Sequence, residues 1–513
     1  MRHSKSFLAA TCFAVHLYAQ MPSGSAPTQP SRAAQLPLSG NGGGGDVATQ
    51  QSVNPGSGVA TISSSVAASG SYSGSVPSGA YPEGPIKLAL AEAVKRGLET
   101  NLGALTSTNQ VSTARSERLQ YLSALLPTIS INASEVVNQV NLAAYGFQFN
   151  LPPSAAPGFS IPTVVGPFSY SQMQGALSQS VFDLVQRRNY QASKESERAA
   201  TLSAHDAREL VTLAVAGTYL QTLAGQAQVY SEQAQVANAQ AVYDQAVVRK
   251  TAGTNARIDV MRSLVELQTE QQRLTSLSAD VRKQKITLAR LAGLPLDHEL
   301  ILMDTFNLEG SALTDRNEEI EKALHTRWDL KAAESQVRAA ELVLSAARAE
   351  RFPSVTLSGD YGAIGPRPTS AHGVFNITGS LNIPVYTGGR IKAEIEQAET
   401  TLHQRQAELA DTRERIEGEV RTALIELETA RNQLKVAGTN REYANETLTE
   451  ARDRFGAGVG TTVEVVQAQQ QVASAEADYV SSLFSYNLAK LTLARATGEA
   501  EAGLPNLLGG KHP

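Results

Sequence analysis

The sequence predicts a mainly α-helical chain with a β-barrel part. Three observations carry this: a heptad seam too long for a globular core, a tandem duplication, and alternating strand segments inside each copy. The seam runs at a spacing of seven through Ile395, Leu402, Leu409, Ile416, Ala423, Ala430, Ala437, Ala444 and Ala451, and Val420, Leu427, Leu434 and Leu448 run beside it. Apolar residues recurring every 3.5 positions keep one stripe against a partner helix. No proline interrupts Arg390 to Arg454, and roughly 65 residues at about 1.5 Å each make a rod of about 100 Å. Phe455-Gly456-Ala457-Gly458-Val459-Gly460 then turns the rod, because three glycines cannot continue a helix cheaply. An Ala/Gln/Val-rich pattern returns from Thr461 to Gly498.

The same hairpin occurs earlier. Thr287-Leu288-Ala289-Arg290 recurs as Thr492-Leu493-Ala494-Arg495, 205 positions later. That offset lays Ala252-Gly253 on Ala457-Gly458, Asp259-Val260 on Glu464-Val465 and Gly293 on Gly498. Leu126-Pro127-Thr128-Ile129 echoes Phe352-Pro353-Ser354-Val355, and Leu213, Leu220, Ala227, Ala234, Ala241 and Val248 repeat the seam. The chain is a tandem duplication.

In order, residues 1–19 read as a secretory signal: Arg2 and Lys5, an apolar run from Phe7, and Leu17-Tyr18-Ala19 before the cleavage point. Cys12 is the sole cysteine, so a disulfide framework is excluded. Residues 20–85 are rich in Ser, Gly, Pro and Ala, and are expected to be a flexible leader that cannot bury enough surface to offset its ordering entropy. Residues 86–293 form the first repeat, opening with a helix over Ile86 to Leu126; 294–318 join the copies; 319–498 form the second repeat; 499–513 are a tail.

After Pro127 and Pro353 the period changes from helical to two. Ser354 to Tyr361 and Phe375 to Ile383 alternate strictly, while Thr128 to Val140 and Ser169 to Phe182 alternate more weakly. Val355, Leu357, Phe375, Ile377, Leu381 and Ile383 are expected to face lipid, and Thr356, Asn376, Thr378 and Asn382 an aqueous lumen. Strands of about ten residues cross an outer membrane when tilted. Four cannot close a barrel, but three chains supply twelve, so unpaired edges in lipid demand a homotrimer.

Nothing points to catalysis. The 8 histidines are scattered, with no His-Glu-x-x-His and no nucleophile elbow, and the 5 methionines do not cluster. The net charge of −5 is built from interspersed acids and bases, which leaves no basic groove for nucleic acid. No cofactor or metal site is expected. A coiled-coil structural or adhesive surface protein would account for the heptads, but not for strands placed midway in each repeat.

The duplicated helix–strand–strand–helix halves, the signal sequence, Leu-Pro-x-Ile/Val before strand one, Pro384-Val385-Tyr386-Thr387-Gly388-Gly389-Arg390 opening the long helix, and the Arg-x-x-x-Gly turns together resemble the outer-membrane efflux protein (TolC) family over roughly Pro85 to Glu499. The resemblance implies a homotrimer in the outer membrane of a Gram-negative-type bacterium, with a 12-strand barrel continuous with a 12-helix periplasmic tunnel. It also implies a periplasmic adaptor and an inner-membrane pump of RND, ABC or MFS type as partners, outer-membrane lipid around the barrel, and export of small molecules or proteins. Pro127, Pro353, Pro384, Gly388 and Gly389 would form the helix–strand junctions. The pore-tip turns that dock the adaptor would hold Arg249, Gly253, Asp259, Arg454, Gly458, Glu464 and Gln467. The sequence departs from the family in two places. Ser180-Val181-Phe182-Asp183 lacks the proline and glycines of the second strand exit. Of two acidic tip positions that some members carry, Glu464 fills one and Gln467 the other, and their preceding arginine falls on Gly460.

Overall fold

The computed structural model describes residues 45–54, 61–77, 84–146, 162–253, 256–306 and 315–507. In chain order its elements are β1 (Val47–Asn54), β2 (Thr61–Ala68), β3 (Ile86–Leu88), α1 (Leu90–Thr100), α2 (Leu102–Ser123), β4 (Thr128–Asn141), β5 (Val164–Phe182), α3 (Leu184–Thr251), α4 (Arg257–Leu291), β6 (Leu300–Leu302), α5 (Arg316–Thr326), α6 (Trp328–Ala349), β7 (Ser354–Gly365), β8 (His372–Asn382), α7 (Arg390–Gly456), α8 (Thr462–Ala496) and α9 (Ala500–Leu507). The 68-residue α3 and 67-residue α7 are the two rods. Each spans about 100 Å at about 1.5 Å per residue. On α7 the buried residues include Ile416, Val420, Ala423, Leu427, Ala430, Ala437, Leu448 and Ala451, which are members of the seam.

The rods order the helices in two tiers. Beside the strands, α2 packs on α3, α3 on α6 and α6 on α7; farther away, α4 packs on α3, α3 on α8 and α8 on α7. The strands follow the first tier: one antiparallel sheet runs β4-β5-β7-β8. Its register stacks like with like. Thr128, Ser178, Ser358 and Thr378 form one row, and Ser130, Ala176, Asp360 and Asn376 the next on the same polar face. Ile129, Leu177, Gly359 and Ile377 lie on the opposite face, followed by Ile131, Gly175, Tyr361 and Phe375. Phe375 and Ile377 are 75% and 72% exposed within the single chain, an apolar surface that water does not favour. The apolar rows run from Val355 and Leu381 up to Ala133 and Met173. Eight residue steps at about 3.4 Å, tilted by about 40°, give a band of roughly 20 Å, close to that of an outer-membrane barrel.

Several expectations need correction. Residues 1–44 lie outside the described residues, but the flexible leader expected over 20–85 is ordered in part. β1 and β2 pair as an antiparallel hairpin lying on α3 and α8. Its anchors are notches in the helices: a Cβ on Gly217 would lie 2.5 Å from Val66 Cγ2, and one on Gly103 would strike the Tyr72 ring. A Ser/Gly-rich composition reports only what the segment itself can bury; here the helices supply the apolar surface. The helix expected over Ile86 to Leu126 is broken at Asn101, whose ψ of 135° leaves helical space. The fully buried Asn101 caps α2 by accepting from Gly103 N at 2.8 Å, and donates Nδ2 to Tyr72 O at 3.0 Å. The joining segment contributes β6, which pairs in parallel with β3, and the tail contains α9, tied to α3 by Arg208–Glu501 at 2.5 Å. Glu350, at the end of α6, is buried and bound by Arg390 at 2.7 Å.

A collar of buried charge joins the copies at mid-rod. Arg327 is wholly buried and reaches Asp329 at 2.7 Å, Glu419 at 2.5 Å and the Ala496 carbonyl at 3.3 Å. Burial works to raise the Asp329 carboxyl, but the hydrogen bonds and charge of Arg327, with Arg495 and Arg415, bring it down to about 2. Arg495 holds Asp206 of α3 at 2.7 Å. Burial pushes the Asp206 carboxyl up against that pairing. In the same belt Tyr219 donates to Asp304 Oδ2 at 2.6 Å, and Asp304 accepts from Leu90 N at 2.7 Å, capping α1.

The two faces of the sheet respond differently to charge. Leu381→Arg, on the apolar face, should cost about 2–4 kcal/mol, and Thr378→Arg, on the polar face, much less. Folding titrations in detergent or lipid would measure both, and equal losses would reverse the assignment of faces.

Candidate functional site

The far ends of both hairpins meet at one place. Gly253 and Gly458 take φ of +75° and +80°, the left-handed conformation that lets a glycine end each rod. Phe455 O accepts from Gly458 N, and Arg454 O accepts from both Val459 N at 3.1 Å and Gly460 N at 3.0 Å. Thr461 then caps α8, accepting from Glu464 N at 3.3 Å while its hydroxyl donates to Glu464 Oε1 at 3.3 Å. The threonine hydroxyl thus serves both contacts on the first turn.

Equivalent arginines do different things. Arg249, at the end of α3, donates Nη2 to the Phe455 carbonyl at 3.1 Å and lays its guanidinium 4.0 Å above the Phe455 ring. It therefore ties the first hairpin to the second. Arg454 stays within its own hairpin, 3.9 Å from Glu464, and both side chains are largely exposed. Asp259 opens α4 and lies 4.0 Å from Arg262. Gln467 stands on the groove wall described next. At the other end, Pro127 and Pro353 separate α2 from β4 and α6 from β7, and Pro384 follows β8. Gly388 and Gly389, at φ of +60° and +87°, lead into α7. The first-half exit needs neither proline nor glycine, because Asp183 caps α3 by accepting from Val185 N at 2.9 Å and Gln186 N at 3.1 Å.

Sequence reasoning missed the groove where α4 and α8 converge just above the turns. It encloses about 500 Å³ and is lined by Ile258, Met261, Val265, Thr462, Val463 and Val466, with Arg262, Glu266 and Gln467 at its edges. Its walls are repeat-equivalents: Ile258 and Val463, Met261 and Val466, and Arg262 and Gln467 each stand 205 positions apart. The repeat offset was the signal that could have found it. Phe455, the partner of Arg249, was missed for the opposite reason: it is a cross-hairpin contact that no repeat encodes.

Behind the groove lie three carboxylates. Glu232 of α3 and Glu266 and Glu270 of α4 are buried, and Gln470 of α8 donates to Glu266 at 3.1 Å. The nearest cation is Arg273, 4.0 Å from Glu232 and 3.9 Å from Glu270. Burial first, then the facing Glu270, push the Glu232 carboxyl up to about 8 from an ordinary 4.5. The folded chain keeps a proton that the unfolded chain releases, so this contribution to stability is fully present below about pH 4.5 and is lost as pH rises through about 8. Glu232→Gln removes the titration. Relative to the parent, its melting midpoint should rise between pH 5 and pH 8; an offset unchanged between those pH values would show that the pair does not titrate as described.

Among the described residues no helix is long and apolar enough to cross a membrane, and no group of His, Cys, Asp and Glu is placed to hold a metal ion. Comparison with known proteins agrees with the geometry. A family model for outer membrane efflux proteins matches residues 320–499. The pyoverdine export outer membrane protein OpmQ of Pseudomonas putida is 27% identical over 296 residues, covering 55% of this chain and 61% of that protein. OpmQ of Pseudomonas aeruginosa is 26% identical over 335 residues, covering 63% and 66%. The chain thus spans less than two thirds of these curated relatives. The Campylobacter jejuni CmeC outer membrane channel superposes with a TM-score of 0.69 at 17% identity, over 82% of this chain and 89% of that one. VceC of Vibrio cholerae does so at 0.66 and 19%, over 80% and 96%. Its long hairpins and four-strand sheet give the chain the fold of the outer membrane channels, and residues 320–499 resemble the outer membrane efflux proteins.

Proposed function

We propose that three copies of this chain close into an outer-membrane duct that passes small molecules or proteins from an inner-membrane pump and its periplasmic adaptor to the exterior. The observation that carries this reading is the order of the open edges. The sheet runs β4-β5-β7-β8, and the helices beside it α2, α3, α6 and α7, so β8 and α7 bound one side and β4 and α2 the other. In the lower tier the same sides end in α7 and α4. One rotation about a single axis therefore joins β8 to a neighbour's β4, and α7 to that neighbour's α2 and α4. Three chains contribute twelve strands and leave no edge in lipid.

The residues left on those sides support closure. Ile425, Val436 and Tyr443 on α7, Leu119 on α2, and Ile286 on α4 are exposed apolar side chains within one chain. A stalk or adhesin would give no reason for an apolar band on one sheet face and Ser, Thr, Asn and Gln on the other. The hairpin tips, a rod length from the strands, are where a pump complex on the far side of the periplasm could reach the duct. There the α4–α8 groove offers a long apolar cleft with polar edges, which suits the apolar stripe of an adaptor's helical hairpin. Gly253 and Gly458 would shape this docking ring, with Arg249, Asp259, Arg454, Glu464 and Gln467 around it.

Two measurements test the reading. The detergent-solubilised protein should have the mass of a trimer and a heat-modifiable mobility; a monomer would end the duct proposal. A Cβ on Gly458 would meet nothing within 4 Å, so Gly458→Leu strains the turn without crowding a neighbour. That variant should keep the trimer and lose export with its partner pump. Normal export by a Gly458→Leu trimer would leave the duct and remove the tip from the docking site.

A further inference from the structure

The four strands that face the membrane contain two residues from the set Asp, Glu, Lys and Arg: Glu135 in β4 and Asp360 in β7. They occupy opposite faces. Glu135 pairs with Ser171, which pairs with Gly365 at the end of β7 remote from the helices, so it marks the outer rim of the apolar face. Asp360 lies midway along β7 on the polar face, in the row Ser130, Ala176, Asp360 and Asn376. The row on the helix side holds Thr128, Ser178, Ser358 and Thr378, and the row on the outer side Asn132, Gln174, Gly362 and Val374. None of these is charged. Asn376 donates Nδ2 to Asp360 Oδ1 at 3.5 Å, a long contact that holds the carboxylate without neutralising it.

We propose that Asp360 sets the charge preference of the barrel lumen. The inference rests on the trimeric duct: closure about one axis places three copies of Asp360 at one height as a ring of fixed negative charge. Ser, Thr, Asn and Gln dipoles turn to suit either sign of ion, so the rows beside Asp360 are indifferent. A carboxylate is not. Backed by a low-dielectric wall of sheet and lipid, the ring raises the local concentration of cations and lowers that of anions. The favoured solute class is cationic, and anionic solutes cross this level at a disadvantage. A twelve-strand lumen is wider than the side-chain-filled eight-strand barrel, so solvent ions screen the ring. The screening length is about 30 Å at 0.01 M salt, about 10 Å at 0.1 M and about 3 Å at 1 M. The preference therefore belongs to low salt and fades as salt rises.

Reconstitution of the purified trimer in planar bilayers under a potassium chloride gradient tests this. The parent should show a reversal potential on the cation-selective side. Asp360→Asn should lower its potassium-to-chloride permeability ratio by about threefold or more at about 0.01–0.1 M salt, and Asp360→Lys should move it toward chloride. Both variants should converge on the parent near 1 M. Glu464→Gln, at the opposite end of the molecule, is the control for carboxylates at the tip, and Asp360→Asn should lower the ratio in that background too. Conducting trimers whose ratio is the same in the parent, Asp360→Asn and Asp360→Lys would overturn the assignment while leaving the duct intact. A parent that assembles no conducting trimer would overturn the duct itself, and the ring with it.

Discussion

Hydrocarbon offers no partner to a backbone N–H or C=O, and a sheet of four strands has two rows of such groups left over at β4 and β8. This constraint orders the rest of the molecule. The helices beside the sheet repeat its sequence of neighbours, so the periplasmic part is cut along the same two lines as the barrel part. A helix satisfies its own backbone and could end a bundle in water without penalty. A strand in lipid cannot. In the proposed duct the sheet would set the closure, and the rods would follow it because each strand runs into a helix across a fixed junction: Pro127, Asp183, Pro353 and Gly388-Gly389.

Duplication supplies two similar hairpins, and asymmetry between them makes one body. Arg249 and Arg454 are equivalents, yet one crosses to the other hairpin and the other remains in its own. Glu266 and Gln470 occupy nearly matching positions and bond to each other, a carboxylate on one copy meeting an amide on the other. The mid-rod collar behaves likewise. Arg495 belongs to the repeated Thr-Leu-Ala-Arg, but its partner Asp206 lies on the first copy's rod. Arg327, buried among two carboxylates and a carbonyl, stands 226 positions after Asn101, so the first copy places a buried amide at the helix break where the second places a guanidinium. Burying such a charge is favourable only when its partners are all in place, so the collar specifies one packing of the copies rather than adding much net stability.

Much of this architecture was legible in the residue pattern. Periods of seven and two are one-dimensional signals with direct three-dimensional meaning, and the 205-residue offset shows that each must occur twice. The rods, the turn glycines, the strand faces and the helix–strand junctions all lie within reach of such signals. The strap of β1 and β2 did not. Its Ser, Gly and Val residues order only because Gly217 and Gly103, distant in sequence, leave notches for Val66 and Tyr72. The break at Asn101 was hidden for a similar reason: α1 and α2 both keep helical spacing, and a buried bond to Tyr72 decides the bend.

The sequence by itself determined the class of the fold, the length of the rods and the two faces of the strands, because periodicity is a local property of the chain. Tertiary structure alone decided which rods touch, that α4 and α8 open an apolar groove at the tip, that Arg249 reaches Phe455, and that Asp360 lies between uncharged rows on the polar face of the described strands. Those facts depend on register and rotation between elements far apart in sequence. A shift of one residue in strand pairing, or one turn along a rod, would leave every period intact and change every one of them.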